Sequence, residues 1–95
     1  MNTYSVGQRD ELAQLFDALG HPRRIAIFLA LQKTGAKGLK FGDLATYCKI
    51  AEPSLAHHLK MMKKGGLIQA KSKGSATVLT LNLAQAEQAQ KFLSL

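Results

Sequence analysis

The sequence predicts a mostly helical single domain that carries one small β-hairpin. Three observations support this. Apolar residues recur at i, i+3, i+4 and i+7 in several separate stretches, the mark of helices with one buried face. Just after Gly65-Gly66 the spacing drops to simple alternation, the mark of strands. The chain has 95 residues, 46% hydrophobic and 20% charged, an ordinary globular composition with room for one modest core.

Ser5 is placed to cap a first helix, and Gln8, three residues on, completes a capping-box pattern. Leu12, Leu15, Phe16 and Leu19 then share one helical face, and Gly20 stops the helix. Pro22 opens the second helix at a position that suits proline. Ile25 to Leu31 is apolar nearly all round, so this helix is expected to be the buried centre of the domain. Gly35 and Gly38 mark a loop that carries Lys37. A short third helix follows from about Phe41 to Cys48, with Phe41, Leu44, Ala45 and Cys48 on one face. Glu52-Pro53 starts a fourth helix that ends at Gly65-Gly66. Ile68 and Ala70 alternate with Gln69 and Lys71, and Leu79 and Leu81 with Thr80 and Asn82. Lys73, Gly74 and Ser75 form the tip between the two runs. Asn82 can cap a last helix in which Leu83, Ala86, Ala89, Phe92 and Leu93 keep helical spacing. Four helices, two strands and a helix, with a tight turn between the third and fourth helices, describe a winged helix-turn-helix. The expected domain covers 1–95, with the helix-turn-helix at about 41–64 and the wing at about 67–82.

Charge selects the same region. The formal net charge is +7. From Lys33 to Lys73 there are nine lysines against Asp43 and Glu52, so this stretch holds the whole excess. Elsewhere Arg9, Arg23, Arg24 and Lys91 balance Asp10, Glu11, Asp17 and Glu87. A polyanion is the economical partner for such a segment: DNA, RNA or an anionic membrane surface. No apolar run approaches the ~18 residues that span a bilayer. The start, MNTYSVGQRDEL, has no basic stretch leading into an apolar one, so a cytoplasmic location without a secretory signal is expected.

On the fourth helix, at about 100° per residue, Leu55, Leu59 and Met62 form the buried stripe. Ser54, His57, Lys60 and Lys64 lie on the other side. The N-terminal part of the second helix of a helix-turn-helix enters the major groove. Ser54 and His57 are therefore placed to touch base edges or nearby phosphates, and Lys60 and Lys64 to reach phosphates. His58 falls on the shoulder of the buried stripe, where both a packed histidine and a DNA contact are open readings. Lys71 and Lys73 flank the hairpin tip, where lysines suit the sugar-phosphate backbone.

No catalytic pattern is present: no glycine-rich phosphate motif, no His-Glu-x-x-His and no nucleophile elbow. The expectation is a protein that is not an enzyme and needs no cofactor. His57 and His58 are adjacent, project about 100° apart and cannot chelate one metal from a single helical face. His21, before Pro22, is expected to cap or pack. Cys48 is alone, so the chain cannot form an internal disulfide or a multi-cysteine zinc site. Its place on an apolar helix face suits packing, with a thiol sensor as the other reading.

The sequence resembles the ArsR (arsenic-repressor-like) family of bacterial winged-helix repressors. The resemblance runs from about Leu12 to Leu93. LFDALGHPRRIAIFLAL is similar to the family's opening, FGDLATYCKIAEPSLAHHLKMMKKGGLI to its helix-turn-helix, and KSKGSATVLTLN to its wing. It implies operator binding, repression by blocking RNA polymerase, and a homodimer held by the first and last helices, at about 6–19 and 83–94. The implied interface is Leu12, Leu15, Phe16, Leu83, Ala86, Ala89, Phe92 and Leu93. Ser54 matches a Ser/Thr of the family's recognition helix, and His57 and His58 match the polar residue and histidine that follow.

Ala56 replaces a Ser that often contacts DNA, and Ala51 the usual capping Ser. Lys40 and Gly42 stand where metal-sensing members carry cysteines, and the last helix offers only Glu87. The resemblance therefore implies a member that does not sense metal through the known family sites.

The sequence thus leads to a cytoplasmic, nucleoid-associated homodimeric repressor that binds double-stranded DNA. Its recognition helices are expected about 34 Å apart on an imperfect palindrome. An effector would be a small organic molecule, an oxidant acting at Cys48, or a partner protein. A winged-helix module that docks another protein without reading DNA is the remaining alternative.

Overall fold

The computed structural model describes residues 3–94. Nine elements follow in order: α1 (Val6–Ala18), α2 (Pro22–Thr34), a single 3₁₀ turn (Gly35–Lys37), β1 (Leu39–Lys40), α3 (Phe41–Cys48), α4 (Glu52–Lys64), β2 (Ile68–Lys73), β3 (Ala76–Leu81) and α5 (Leu83–Leu93). The fold is a winged helix-turn-helix, mostly α with a small antiparallel sheet.

Local chemistry accounts for the ends of the elements. At α1, the Gln8 amide donates to Ser5 Oγ (3.1 Å) and the Ser5 amide to Gln8 Oε1 (2.8 Å), closing the capping box. At α2, the His21 ring takes the capping role: its Nδ1 accepts from the Arg23 amide at 3.1 Å. Asn82 Oδ1 accepts from the Gln85 amide at 3.3 Å and starts α5. Ala51 heads α4 with no side-chain cap, which leaves the first amides of that helix free of side-chain partners.

The core is formed where α1, α2, α3, α4 and the sheet meet. Leu15, Ile27, Leu31, Leu44, Leu55, Met62, Leu67 and Leu79 are sealed from solvent. Ile50, in the turn between α3 and α4, is also buried, and its amide donates to Ala45 O at 3.0 Å.

Two features differ from the sequence reading. First, α2 is not buried all round: Ile27, Ala30 and Leu31 face the core, while Leu29 is 55% exposed and Ile25 is also exposed. Its partners α3, α4 and β3 cover one side, and Ile25 and Leu29 lie off that side. Second, the sheet has three strands, ordered β1-β3-β2. Leu39 pairs with Leu79 and Lys40 with Val78, so the stretch before α3 is stitched to the wing. A two-residue strand is too short to show alternation.

Hairpin β2-β3 runs from the pair Ile68–Leu81 to the pair Lys73–Ala76, closed by Gly74-Ser75. Gly74 has φ 62°, which the tight turn requires and glycine supplies without strain. Ile68 and Leu79 face the core; β2 beyond Ile68 is exposed, Ala70 included.

Candidate nucleic-acid interface

The site is built around α4. Leu55, Leu59 and Met62 fix that helix in the core, as one stripe at helical spacing. The opposite side is left to solvent. Ser54 is half-buried, and His57, Lys60, Lys63 and Lys64 are exposed. Lys63 and Lys64 also sit in the last turn, where their charge suits the helix dipole.

At the start of α4 the structure brings in two residues that the charge count had left in the balanced remainder. Arg23 Nη1 donates to Ser54 Oγ at 3.2 Å. Arg24 Nε donates to His58 Nδ1 at 3.3 Å, while its Nη1 donates to the Asp17 carbonyl at 2.9 Å. Arg24 thus links the end of α1 to the middle of α4. A signal for both was present in the sequence. Two cations in the first turn of a helix oppose its dipole, so the helix itself gains nothing from them there.

His58 is 6% exposed and is not on the outer face. Its ring centroid lies 4.7 Å from that of His21 and 5.9 Å from that of His57. A buried ring whose Nδ1 already accepts from Arg24 cannot reach a base edge, which corrects its grouping with the DNA contacts. Burial holds its pKa below the ordinary histidine value, and electrostatic repulsion from the neighbouring His21, Arg24, His57 and Arg23 adds to that effect. While neutral, the ring keeps its proton on Nε2 and leaves Nδ1 as the acceptor.

The remaining lysines predicted to contact DNA lie in two places. Lys64 lines a shallow groove with Ala13, Gln14 and Asp17 of α1, at the far end of α4 from Ser54. Lys71 and Lys73 lie on the outer face of the wing with Gln69. There they share a groove of about 540 Å³ with Lys37 of the 3₁₀ turn, Val78 and Thr80. Lys37 belongs to the basic segment of the sequence but is not among the residues the sequence singles out as DNA contacts.

Of the residues expected at a subunit interface, Leu15 is 0% exposed and belongs wholly to the core, so it cannot meet a partner. Leu83 and Leu93 are exposed, the latter 69%. Leu12, Phe16, Ala86, Ala89 and Phe92 are half-buried. Part of that burial is internal. Phe92 packs 6.0 Å from Phe16 and receives Tyr4 edge-on at 5.5 Å, tying α5 to α1. Val6, also exposed, extends the apolar surface of α1.

Cys48 is half-buried, and burial raises its thiol pKa, which lowers the thiolate fraction. Among the described residues, no three His, Cys, Asp or Glu side chains are grouped to hold a metal ion. Among the described residues, no helix is long and apolar enough to cross a membrane.

Comparison with known proteins gives the same picture. A family model described as "Bacterial regulatory protein, arsR family" matches residues 21–70, just over half the chain, from the cap of α2 through the first half of the wing's first strand. The transcriptional repressor SdpR of Bacillus subtilis is 35% identical over 68 residues, 72% of each chain. An ArsR-like transcriptional regulator from Rhodococcus sp. RHA1 superposes with a TM-score of 0.79 at 25% identity, covering 96% of this chain and 81% of that one. A homodimeric winged helix-turn-helix DNA-binding domain from Mycobacterium bovis shares the fold, with a TM-score of 0.77 at 20% identity over 99% of this chain and 89% of its own. The chain belongs to the arsR family and is a DNA-binding transcriptional regulator, not an enzyme.

Proposed function

We propose that the protein is a homodimeric repressor that binds an imperfect palindrome in double-stranded DNA. One observation carries this reading: a buried Leu55-Leu59-Met62 stripe holds α4 rigidly while Ser54, His57 and Lys60 stand on its outer side. Ser54 and His57, near the start of the helix, read base edges, and Lys60 and Lys64 hold phosphates. Lys71 and Lys73 of the wing grip the backbone alongside, joined by Lys37. The exposed Leu83 and Leu93 of α5, with Leu12 and Phe16 of α1, form the surface that pairs two copies. The M. bovis homodimer and the repressor SdpR, similar in fold and in sequence respectively, support the assembly and the direction of control.

Selection of genomic duplex fragments by the purified protein tests this. The expected result is enrichment of one two-fold-related motif with half-sites about one helical turn apart. Lys60→Ala and Lys73→Ala should each weaken binding to every sequence and flatten its salt dependence. Selection that enriches no motif, or lysine variants that bind as the parent does, would overturn the proposal.

A further inference from the structure

We propose that Arg23 is a phosphate-binding residue of the DNA interface that also sets the polarity of Ser54. This rests on the DNA-reading role proposed for α4 and names a residue outside both the helix-turn-helix and the wing. Arg23 is the second residue of α2, and its side chain is exposed. Its guanidinium meets α4 at Ser54, on the turn expected to enter the groove.

Three observations carry the inference. The contact with Ser54 uses one N–H of a group that has five, and no carboxylate pairs with Arg23 among the described residues. Arg23 acts on the His58 ring together with Arg24 and His57, so it stands in a cluster of cationic and imidazole groups that an anion would complete. A cation in the first turn of α2 works against the helix dipole, so its placement is not explained by helix stability. A DNA phosphate supplies the charge, and the planar fork of Arg fits two of its oxygens.

The same bond acts on Ser54. A serine hydroxyl has one hydrogen to give and two lone pairs. With Arg23 donating into one lone pair, Ser54 is held as the acceptor in that pair, and its own hydrogen is free for the DNA. Ser54 therefore presents a donor to acceptor atoms: a phosphate oxygen, or N7 and O6 of guanine in the major groove. Arg23 is the phosphate contact and, for Ser54, the positioning residue.

The test uses the full chain and two duplexes, one carrying the selected motif and one of unrelated sequence, titrated by fluorescence anisotropy across a range of salt. Arg23→Gln keeps a donor for Ser54 and removes the charge; Arg23→Lys keeps the charge. Loss of one phosphate contact makes the negative slope of log K against log salt shallower by about 0.9, so a fourfold rise in salt costs the parent about 3.5-fold more affinity than Arg23→Gln. This should hold on both duplexes, whereas Arg23→Lys should keep the parent's slope and Ser54→Ala should leave the slope unchanged. Thermal melting of each variant checks that it is folded. If the parent shows salt-dependent binding and Arg23→Gln keeps the full slope, the role of Arg23 is refuted and the DNA-reading role of α4 stands. If the parent binds neither duplex, both fall together.

Discussion

Replacing Gly65 with Ala sets two effects of opposite sign against each other. Gly65 follows α4 with φ −79°, a conformation open to any residue. On backbone entropy alone, Gly→Ala there should stabilise by about 0.4–1 kcal/mol. The surroundings oppose it. A Cβ built on Gly65 would lie 2.6 Å from the Gln14 carbonyl oxygen and 2.7 Å from the Ala18 Cβ, both on α1. Ordinary contact begins at 3.4 Å, so α1 and α4 must part by about 0.8 Å, and one of the obstacles is rigid backbone. Overpacking of this kind costs about 1–3 kcal/mol, and two contacts under 3.0 Å, one of them on backbone, place this site in the upper half of that range, so the net effect is a loss of about 1–2.6 kcal/mol. For a domain of this size each kcal/mol is about 4–8 °C in Tm, so the variant should melt roughly 4–21 °C lower. Thermal unfolding followed by circular dichroism measures it. Gly74→Ala is the control: its Cβ meets nothing within 4 Å, and only the left-handed backbone, φ 62°, costs about 1 kcal/mol. A Gly65→Ala variant that melts at or above the parent would refute the close approach of α1 to the end of α4.

Further outcomes follow from the same packing. Leu55→Ala removes a fully buried anchor of the reading helix and should cost about 2–5 kcal/mol in denaturant unfolding. His58, with its pKa lowered in the fold, makes stability fall with acid. Above the ordinary value of 6.5 the ring is neutral in both states; as pH drops through 6.5 the unfolded chain takes up a proton that the folded chain resists. His58→Gln, which still offers Arg24 an acceptor, should lose less stability than the parent between pH 7 and pH 5; parallel curves would exclude His58 as the source. The Cys48 thiol, raised by burial, should react with a thiol reagent at pH 7 more slowly in the native protein than in denaturant, and Cys48→Ala should keep DNA affinity.

What was legible in the sequence was local. Ser5 with Gln8, Asn82 before α5, and the Leu55-Leu59-Met62 stripe depend on residues three to seven apart, a range that spacing describes directly. What was not legible depends on distant pairs. Arg23 and Ser54 are 31 residues apart, and Arg24 and His58 34 apart, so neither contact leaves a periodic trace. The exposed side of α2 was hidden for the same reason: Ile25 and Leu29 are as apolar as Ile27 and Leu31, and only the arrangement of neighbours decides which face is covered. Leu15 shows the converse. It shares a face with Leu12 and Phe16, yet the packing of α1 on α4 and α5 takes it fully inside.

The two-residue strand β1 fixes how the protein could be remodelled. Because Leu39 and Lys40 are hydrogen-bonded to β3 and lead directly into α3, the middle of the wing's second strand and the entry to the reading helices are one mechanical piece. Gly38, whose added Cβ would strike the Leu79 carbonyl oxygen, closes that joint with no spare space. Residues inserted at Gly74-Ser75 would lengthen the reach along the duplex and leave the grip of α4 unaltered. A single residue inserted before Phe41 would shift wing and helix out of step, so length variation is confined to the outer end of the hairpin.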